Sequence, residues 1–228
     1  MGGDGTINLV ASALIEAGSP CPLGIIPLGL SNCLAVHYRL PRDLEQAARV
    51  IVSGRPVRAD AARADGRLVL AFLGAGLDAA VVARVAAGRT GTISDWQYVR
   101  AAFGAAAGEG LKPLKVVADG RPAPWPVNQV ILSPIDNYAH YFHLSRSGKF
   151  TAFLFKGTGL AAMARTFWRM GPSRDLERAA DLVLPVRERL EVSAEESGGA
   201  WQFDGEAGGS LPVTCELLPG AIEVLTVV

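Results

Sequence analysis

The sequence predicts an α/β segment over residues 1–58 followed by a mainly antiparallel β part with helical inserts over residues 59–228, and three observations carry that prediction. Near the start, Ile7, Val10, Ala11, Leu14 and Ala17 recur at helical spacing, and the short apolar run Leu23-Gly24-Ile25-Ile26-Pro27 follows. From about Arg55 the pattern changes to β-type runs at 68–73, 127–132, 151–155, 190–194 and 222–228, separated by Asp-Gly and Gly-Pro punctuation. Helical spacing returns twice inside that part. One insert covers 79–107 with Trp96, Val99 and Phe103, and the other carries Leu160, Met163, Ala164 and Phe167.

The elements justify themselves in order. The first helix starts after the opening glycines and stops at Gly18, where a C-terminal cap belongs. A Ser19-Pro20-Cys21-Pro22 loop leads into the apolar run, which reads as a buried strand and ends in a polar turn at Gly29 to Asn32. The second helix begins after Pro41, keeps Leu44, Ala47, Ala48 and Ile51 on one face, and closes at Gly54. Asp65-Gly66, Asp119-Gly120 and Asp204-Gly205 all carry the same hairpin signal, and composition does not distinguish the third from the other two.

Lys plus Arg equals Asp plus Glu, at 22 each, so no global field draws the 228-residue chain toward nucleic acid. Cys21, Cys33 and Cys215 lie far apart with no C-x-x-C pair, which fits a reducing cytoplasm. The longest apolar run, 68–73, is far too short to span a bilayer, so the expectation is a soluble protein, at most peripheral to a membrane.

Chemistry concentrates in three short clusters. Gly2-Gly3-Asp4-Gly5-Thr6 runs into the first helix, whose free N–H groups and dipole favour an anion, while glycine lets the backbone approach phosphate closely. Asp4 beside a phosphate requires a cation, a protonated partner or a hydroxyl between them. Pro27 to Asn32 forms a strand-to-loop turn that lies beside the first cluster if the two strands are parallel neighbours. Phe203-Asp204-Gly205-Glu206 is the third. Each also has a plain reading, as a helix cap, an ordinary turn and a hairpin respectively. His140 and His143 lack the patterning of a metal pair, and His37, Trp96, Trp125, Trp168, Trp201 and the run 150–155 read as core or boundary positions.

Together and in this order, the clusters resemble the diacylglycerol kinase catalytic domain family, which includes bacterial lipid kinases and sphingosine kinases. The resemblance rests on GGDGTIN at Gly2 to Asn8, PLGIIPLG at Pro22 to Gly29 with Ser31 and Asn32, and Asp60. It rests also on LGAGLDA at Leu73 to Ala79, DGE at Asp204 to Glu206, and the closing LPGAIEVL. It implies an α/β nucleotide-binding domain over residues 1–58 and a β-sandwich domain over 59–228 carrying the DGE motif, with a cleft between them. It further implies transfer of the γ-phosphoryl group of ATP, with Mg²⁺, to a lipid hydroxyl. Carried over by position, Gly2, Gly3, Asp4, Gly5, Thr6, Asn8, Gly29 and Asn32 would bind the nucleotide, and Glu206 and Asp4 would be catalytic, with Glu206 as the base. The implied partners are a lipid substrate and a membrane surface touched peripherally, with no nucleic acid; a homodimer stays open. The family places a strand and a further βα stretch before GGDGT where this chain has only Met1, so the resemblance implies an N-terminally truncated member. Leu9, Leu30 and Cys33 stand where the family carries polar groups, and the family's structural magnesium site, expected near 145–148, is not assigned. The competing expectation is an inactive member serving as a binding or scaffold module.

Overall fold

The computed structural model describes residues 1–87, 100–105, 112–138, 142–144, 150–195 and 198–227. Helix α1 (Asp4–Glu16) starts behind Gly3 and buries Ile7 and Ala11; it stops at Ala17, and Gly18 takes a left-handed φ of 57°, as the pattern predicts. The run after it is extended. Gly2 N–H donates to Ile26 O (3.1 Å) and Leu28 N–H to Gly2 O (3.1 Å), so Gly2 and Pro27 meet in a parallel bridge. On the other side, Leu23 N–H donates to Glu223 O (2.7 Å) and Leu225 N–H to Leu23 O (3.0 Å). The expected strand at 23–27 is therefore held at its ends, and Pro27 has no N–H to extend the ladder.

Two helices follow, α2 (Cys33–His37) and α3 (Leu44–Ser53). Asp43 caps α3 by accepting from Gln46 N–H at 2.9 Å. Gly54 is not the left-handed cap its position suggests, because its φ is −70°. It is glycine for space: a β-carbon there would lie 2.3 Å from Val50 O and 2.6 Å from Thr226 O.

Fourteen strands are described: β1 (Arg55–Ala64), β2 (Arg67–Val69), β3 (Leu73–Gly76), β4 (Leu114–Ala118), β5 (Arg121–Pro122), β6 (Gln129–Ser133), β7 (Asn137–Tyr138), β8 (Phe142–His143), β9 (Thr151–Phe155), β10 (Leu182–Pro185), β11 (Arg189–Ala194), β12 (Ala200–Phe203), β13 (Glu206–Ser210) and β14 (Val213–Thr226). One six-stranded sheet has the order β2-β1-β14-β11-β4-β5 and the other β10-β9-β6-β3-β12-β13, with antiparallel pairing in both. Further helices lie among them: α4 (Leu77–Ala87), α5 (Gly159–Met170) and α6 (Leu176–Ala179), and residues 100–105 are helical as well.

Strand alternation divides the core. Val69, Leu190 and Cys215 from one sheet meet Leu132, Leu154 and Trp201 from the other in a buried layer between them. The intervening residues Ile131, Phe153 and Phe155 face the opposite way and join Ile7, Ile25, Leu34, Met170 and Leu176 in a second cluster. That cluster draws on both sides of residue 58, through which β1 runs.

Two expectations change. The run 68–73 is not one strand but β2 and β3, interrupted at Leu70 to Phe72, whose N–H groups bond a side chain instead of a neighbouring strand. Trp168 is not a core residue: α5 turns Met163 and Met170 inward, which leaves Trp168 84% exposed. Trp96, Val99 and His140 lie outside the described residues, while Phe150, Phe153 and Phe155 are buried as expected.

Candidate active site

The opening glycines are required by contact as well as by conformation. A β-carbon on Gly29 would lie 2.4 Å from Gly3 Cα, so the first and second loops pack backbone to backbone; one on Gly2 would meet Thr6 Cβ at 2.6 Å. No side chain caps α1, which leaves its first-turn N–H groups, at Asp4, Gly5 and Thr6, at the mouth of that contact. Asn32 shapes the second loop from within. It sits in the left-handed region (φ 49°), its Oδ1 accepts from Gly29 N–H at 2.8 Å, and its amide donates to Gly29 O at 2.7 Å.

Asp4 points from α1 toward the start of α2. Burial raises its pKa, and the backbone N–H groups of Leu34, Cys33 and Asn32 offset part of that rise. Its Oδ1 is buried and has no hydrogen-bond partner among the described residues. An acceptor-only oxygen in that position suits a cation or a donor supplied by a ligand.

The DGE motif begins as a hairpin turn like the other two Asp-Gly pairs, since both residues of all three pairs have positive φ. Asp204 differs in what it holds. Its Oδ2 accepts from Leu70 N–H (3.0 Å) and from the Asn8 amide (2.7 Å), and its Oδ1 accepts from Ala71 N–H (2.8 Å) and Phe72 N–H (2.9 Å). Burial raises its pKa against these four donors. Asn8 donates its second amide hydrogen to Leu68 O at 2.9 Å, so α1, the β2–β3 link and the DGE turn are tied at one point.

That tie sets the position of Glu206, which is exposed at the start of β13. A β-carbon on Gly5 would lie 3.3 Å from Glu206 Oε1. The structure thus brings Gly2, Gly3, Asp4, Gly5, Thr6, Gly29 and Asn32 together with Glu206. Asn8 belongs to the same region, but both of its amide hydrogens are spent on protein acceptors. Leu9 and Leu30 are 72% and 54% exposed, Cys33 is buried, and 145–148 lies outside the described residues.

Sequence reasoning missed a buried group behind the turn. Asp78, in the first turn of α4, accepts from Gln202 Nε2 at 2.5 Å and from the Tyr138 hydroxyl. Gln202 Oε1 in turn accepts from Gly205 N–H at 3.0 Å, one residue before Glu206. Burial pushes the Asp78 carboxyl up to about 7, with the Gln202 bond working the other way. The signal was Gly74 in LGAGLDA: a β-carbon there would fall 1.6 Å from Asp78 Oδ2. On the other flank, His37 Nδ1 meets Asp136 Oδ1 at 2.8 Å and the Asn137 amide donates to Cys33 O at 3.1 Å, fixing α2 to the segment after β6.

Residues 1–64 match the family model for the diacylglycerol kinase catalytic domain, which bears out the resemblance read from the motifs. A probable lipid kinase YegS-like of Klebsiella pneumoniae (strain 342) is 48% identical over 66 residues, covering 29% of this chain and 22% of that protein. Its counterpart in Yersinia pestis (strain Pestoides F) is 46% identical over 68 residues, 28% of this chain and 23% of the relative. The matched stretch thus spans less than a quarter of these relatives' length. The fold likeness reaches further. A diacylglycerol kinase structure from Bacillus anthracis str. Sterne superposes with a TM-score of 0.74 at 21% identity, over 98% of this chain and 75% of that one. Yeast NADH kinase in complex with NADH superposes at 0.53 with 12% identity, over 100% of this chain and 60% of that one. The fold is therefore of the diacylglycerol kinase and NAD kinase type, built here as two antiparallel six-stranded sheets with helices.

Proposed function

We propose, for a chain whose residues 1–64 match the family model for the diacylglycerol kinase catalytic domain, that it transfers the γ-phosphoryl group of ATP to the hydroxyl of a lipid of diacylglycerol or sphingoid type. The observation that carries this reading is the approach of Glu206 Oε1 to Gly5. It places a solvent-facing carboxylate beside the uncapped start of a 13-residue helix, across some two hundred residues of chain.

The two halves of that contact have complementary work. First-turn N–H groups and the glycine-lined contact of Gly3 with Gly29 suit phosphate oxygens, because donors point outward and no side chain obstructs them. An aliphatic hydroxyl scarcely ionises near neutral pH, so Glu206 accepts its proton as the new P–O bond forms and the bond from the γ-phosphorus to the departing ADP oxygen breaks. The residues fit a magnesium ion at one point, the Oδ1 of Asp4, buried and unpartnered among the described residues; Asp4 would hold the ion there, and the ion would supply positive charge against the phosphates. Asp204, Asn8 and Asn32 position the parts and are not spent on the nucleotide.

Glu206→Gln tests the reading, since it removes the proton acceptor and keeps the shape. With labelled ATP and a dispersed diacylglycerol acceptor, turnover should fall by about 10² or more while ATP affinity stays within a few fold. Turnover equal to the parent's would remove Glu206 from the chemistry. A second reading, a member that binds without turning over, is favoured by Leu28 and Leu30, which stand 56% and 54% exposed on the second loop and offer the nucleotide no polar group. The same assay separates the two: ATP binding without product in the parent supports the second.

A further inference from the structure

The outer face of α5 carries the largest exposed side chain in the described structure. Leu160, Ala164, Phe167 and Trp168 recur at i, i+4, i+7 and i+8, which gathers them in one stripe. Trp168 is 84%, Phe167 52% and Leu160 48% exposed, while Met163 and Met170, further round the helix, are buried. A Phe-Trp pair held in water on a helix that already has a buried face needs a reason, because either aromatic buried in the core would have added stability.

Charge identifies the occupant. Residues 156–181 hold five basic side chains, Lys156, Arg165, Arg169, Arg174 and Arg178, against three acidic ones, Asp175, Glu177 and Asp181, in a chain of zero net charge. Arg169 meets Asp181 at 2.6 Å and Arg165 lies 3.6 Å from it, whereas Arg174 and Arg178 are exposed beyond the helix end. A short helix with Trp, Phe and Leu outward and a local cationic excess has the composition of a segment that lies in the interface of an anionic bilayer. At twelve residues it is about 18 Å long, well short of a span. A second copy is the competing occupant, and a parallel two-fold pairing of this face would bring the arginines of both chains together.

We propose that the Leu160, Phe167 and Trp168 face of α5 inserts into the surface of an anionic membrane. The proposal deepens the lipid-kinase reading by giving the acceptor's membrane a docking surface, yet its test needs neither ATP nor acceptor. The full chain is sedimented with phosphatidylcholine vesicles and with vesicles containing about one third phosphatidylglycerol, alongside the Phe167→Ser, Trp168→Ser double variant. Both positions are exposed, so the variant should keep the parent's circular dichroism and melting temperature. The expected result is binding of the parent to anionic vesicles, with a blue shift in tryptophan emission, and a loss of about tenfold or more in the variant. Three outcomes would overturn it: no vesicle binding by the parent, equal binding by the variant, or equal binding to neutral and anionic vesicles. A parent dimer that the variant abolishes, with no vesicle binding, would assign the face to a second copy instead. Vesicle binding by a chain that lacks kinase activity would leave this proposal standing and count against the catalytic one alone.

Discussion

Asp119-Gly120 joins β4 to β5 and Asp204-Gly205 joins β12 to β13, and in each turn the aspartate receives three consecutive backbone N–H groups from a distant segment. For Asp119 these come from Arg187, Glu188 and Arg189 at 2.8–3.1 Å, and for Asp204 from Leu70, Ala71 and Phe72 at 2.8–3.0 Å. The backbone is the same, with positive φ at all four residues. The surroundings differ. At Asp119 burial is slight, so although it acts to raise the pKa, the N–H groups of Glu188, Arg189 and Arg187 outweigh it and the net direction is down. At Asp204 burial dominates the same three-donor clamp plus Asn8, and the net direction is up. A turn that ties a hairpin to its neighbour is thus a general device. Enclosure and a fourth partner on α1 make one copy of it part of a candidate active site.

The comparison is broken most directly at Asp204. Asp204→Ala leaves three backbone N–H groups and the Asn8 amide without their acceptor in a region water enters poorly. We expect a loss of about 3–5 kcal/mol in urea-induced unfolding, which a barely folded variant would also express. A loss no larger than that of Asp119→Ala would show that enclosure does not set the difference.

This difference was only partly legible in the sequence. The helices α1 and α3 and the strand β9 follow from local periodicity and caps, because their signals lie within ten or so neighbours. The Asp-Gly hairpins were legible for the same reason. Which of them was buried was not, because the deciding partners of Asp204 lie 132–134 residues away and sit in a run, 68–73, that reads as unbroken strand. The same holds for Asp78, whose partners Tyr138 and Gln202 are 60 and 124 residues distant. The meeting of Glu206 with Gly5 was reached through the order of motifs and not through any local property of either.

Asp78 sharpens the comparison, since it is buried where Asp204 is only partly so, and has two side-chain donors in place of a backbone clamp. Its folded pKa of about 7 lies above the ordinary value near 3.9. Between those values the folded protein keeps a proton that the unfolded chain has lost, so this group's contribution to stability falls as pH rises from about 4 to about 7 and is level above. Asp78→Asn should remove that slope: near parity with the parent at about pH 4, and at pH 8 a variant more stable by up to roughly 4 kcal/mol. Urea midpoints at the two values check it, and an advantage confined to pH 4 would reverse the assignment.

The smallest effect belongs to Asp119, where the sign runs the other way. Its folded pKa lies below the ordinary value, so the unfolded chain takes up the proton first as pH falls. The stabilisation is therefore fully present above about pH 4 and is lost as pH drops through the folded value. Because the turn is exposed, water can replace the carboxylate at all three N–H groups, and Asp119→Ala should cost about 1 kcal/mol or less at pH 7. The gap between parent and variant should then narrow as pH falls from 7 to 3. The Asp204 carboxyl behaves oppositely over the same range, because its raised pKa means that acid relieves the burial of its charge in the folded state. Urea midpoints for the Asp119→Ala protein and its parent at pH 7 and pH 3 decide the matter. A gap that widens toward acid would mean that Asp119, despite its exposure, is governed by burial as Asp204 is, and that the contrast between the two turns lies elsewhere.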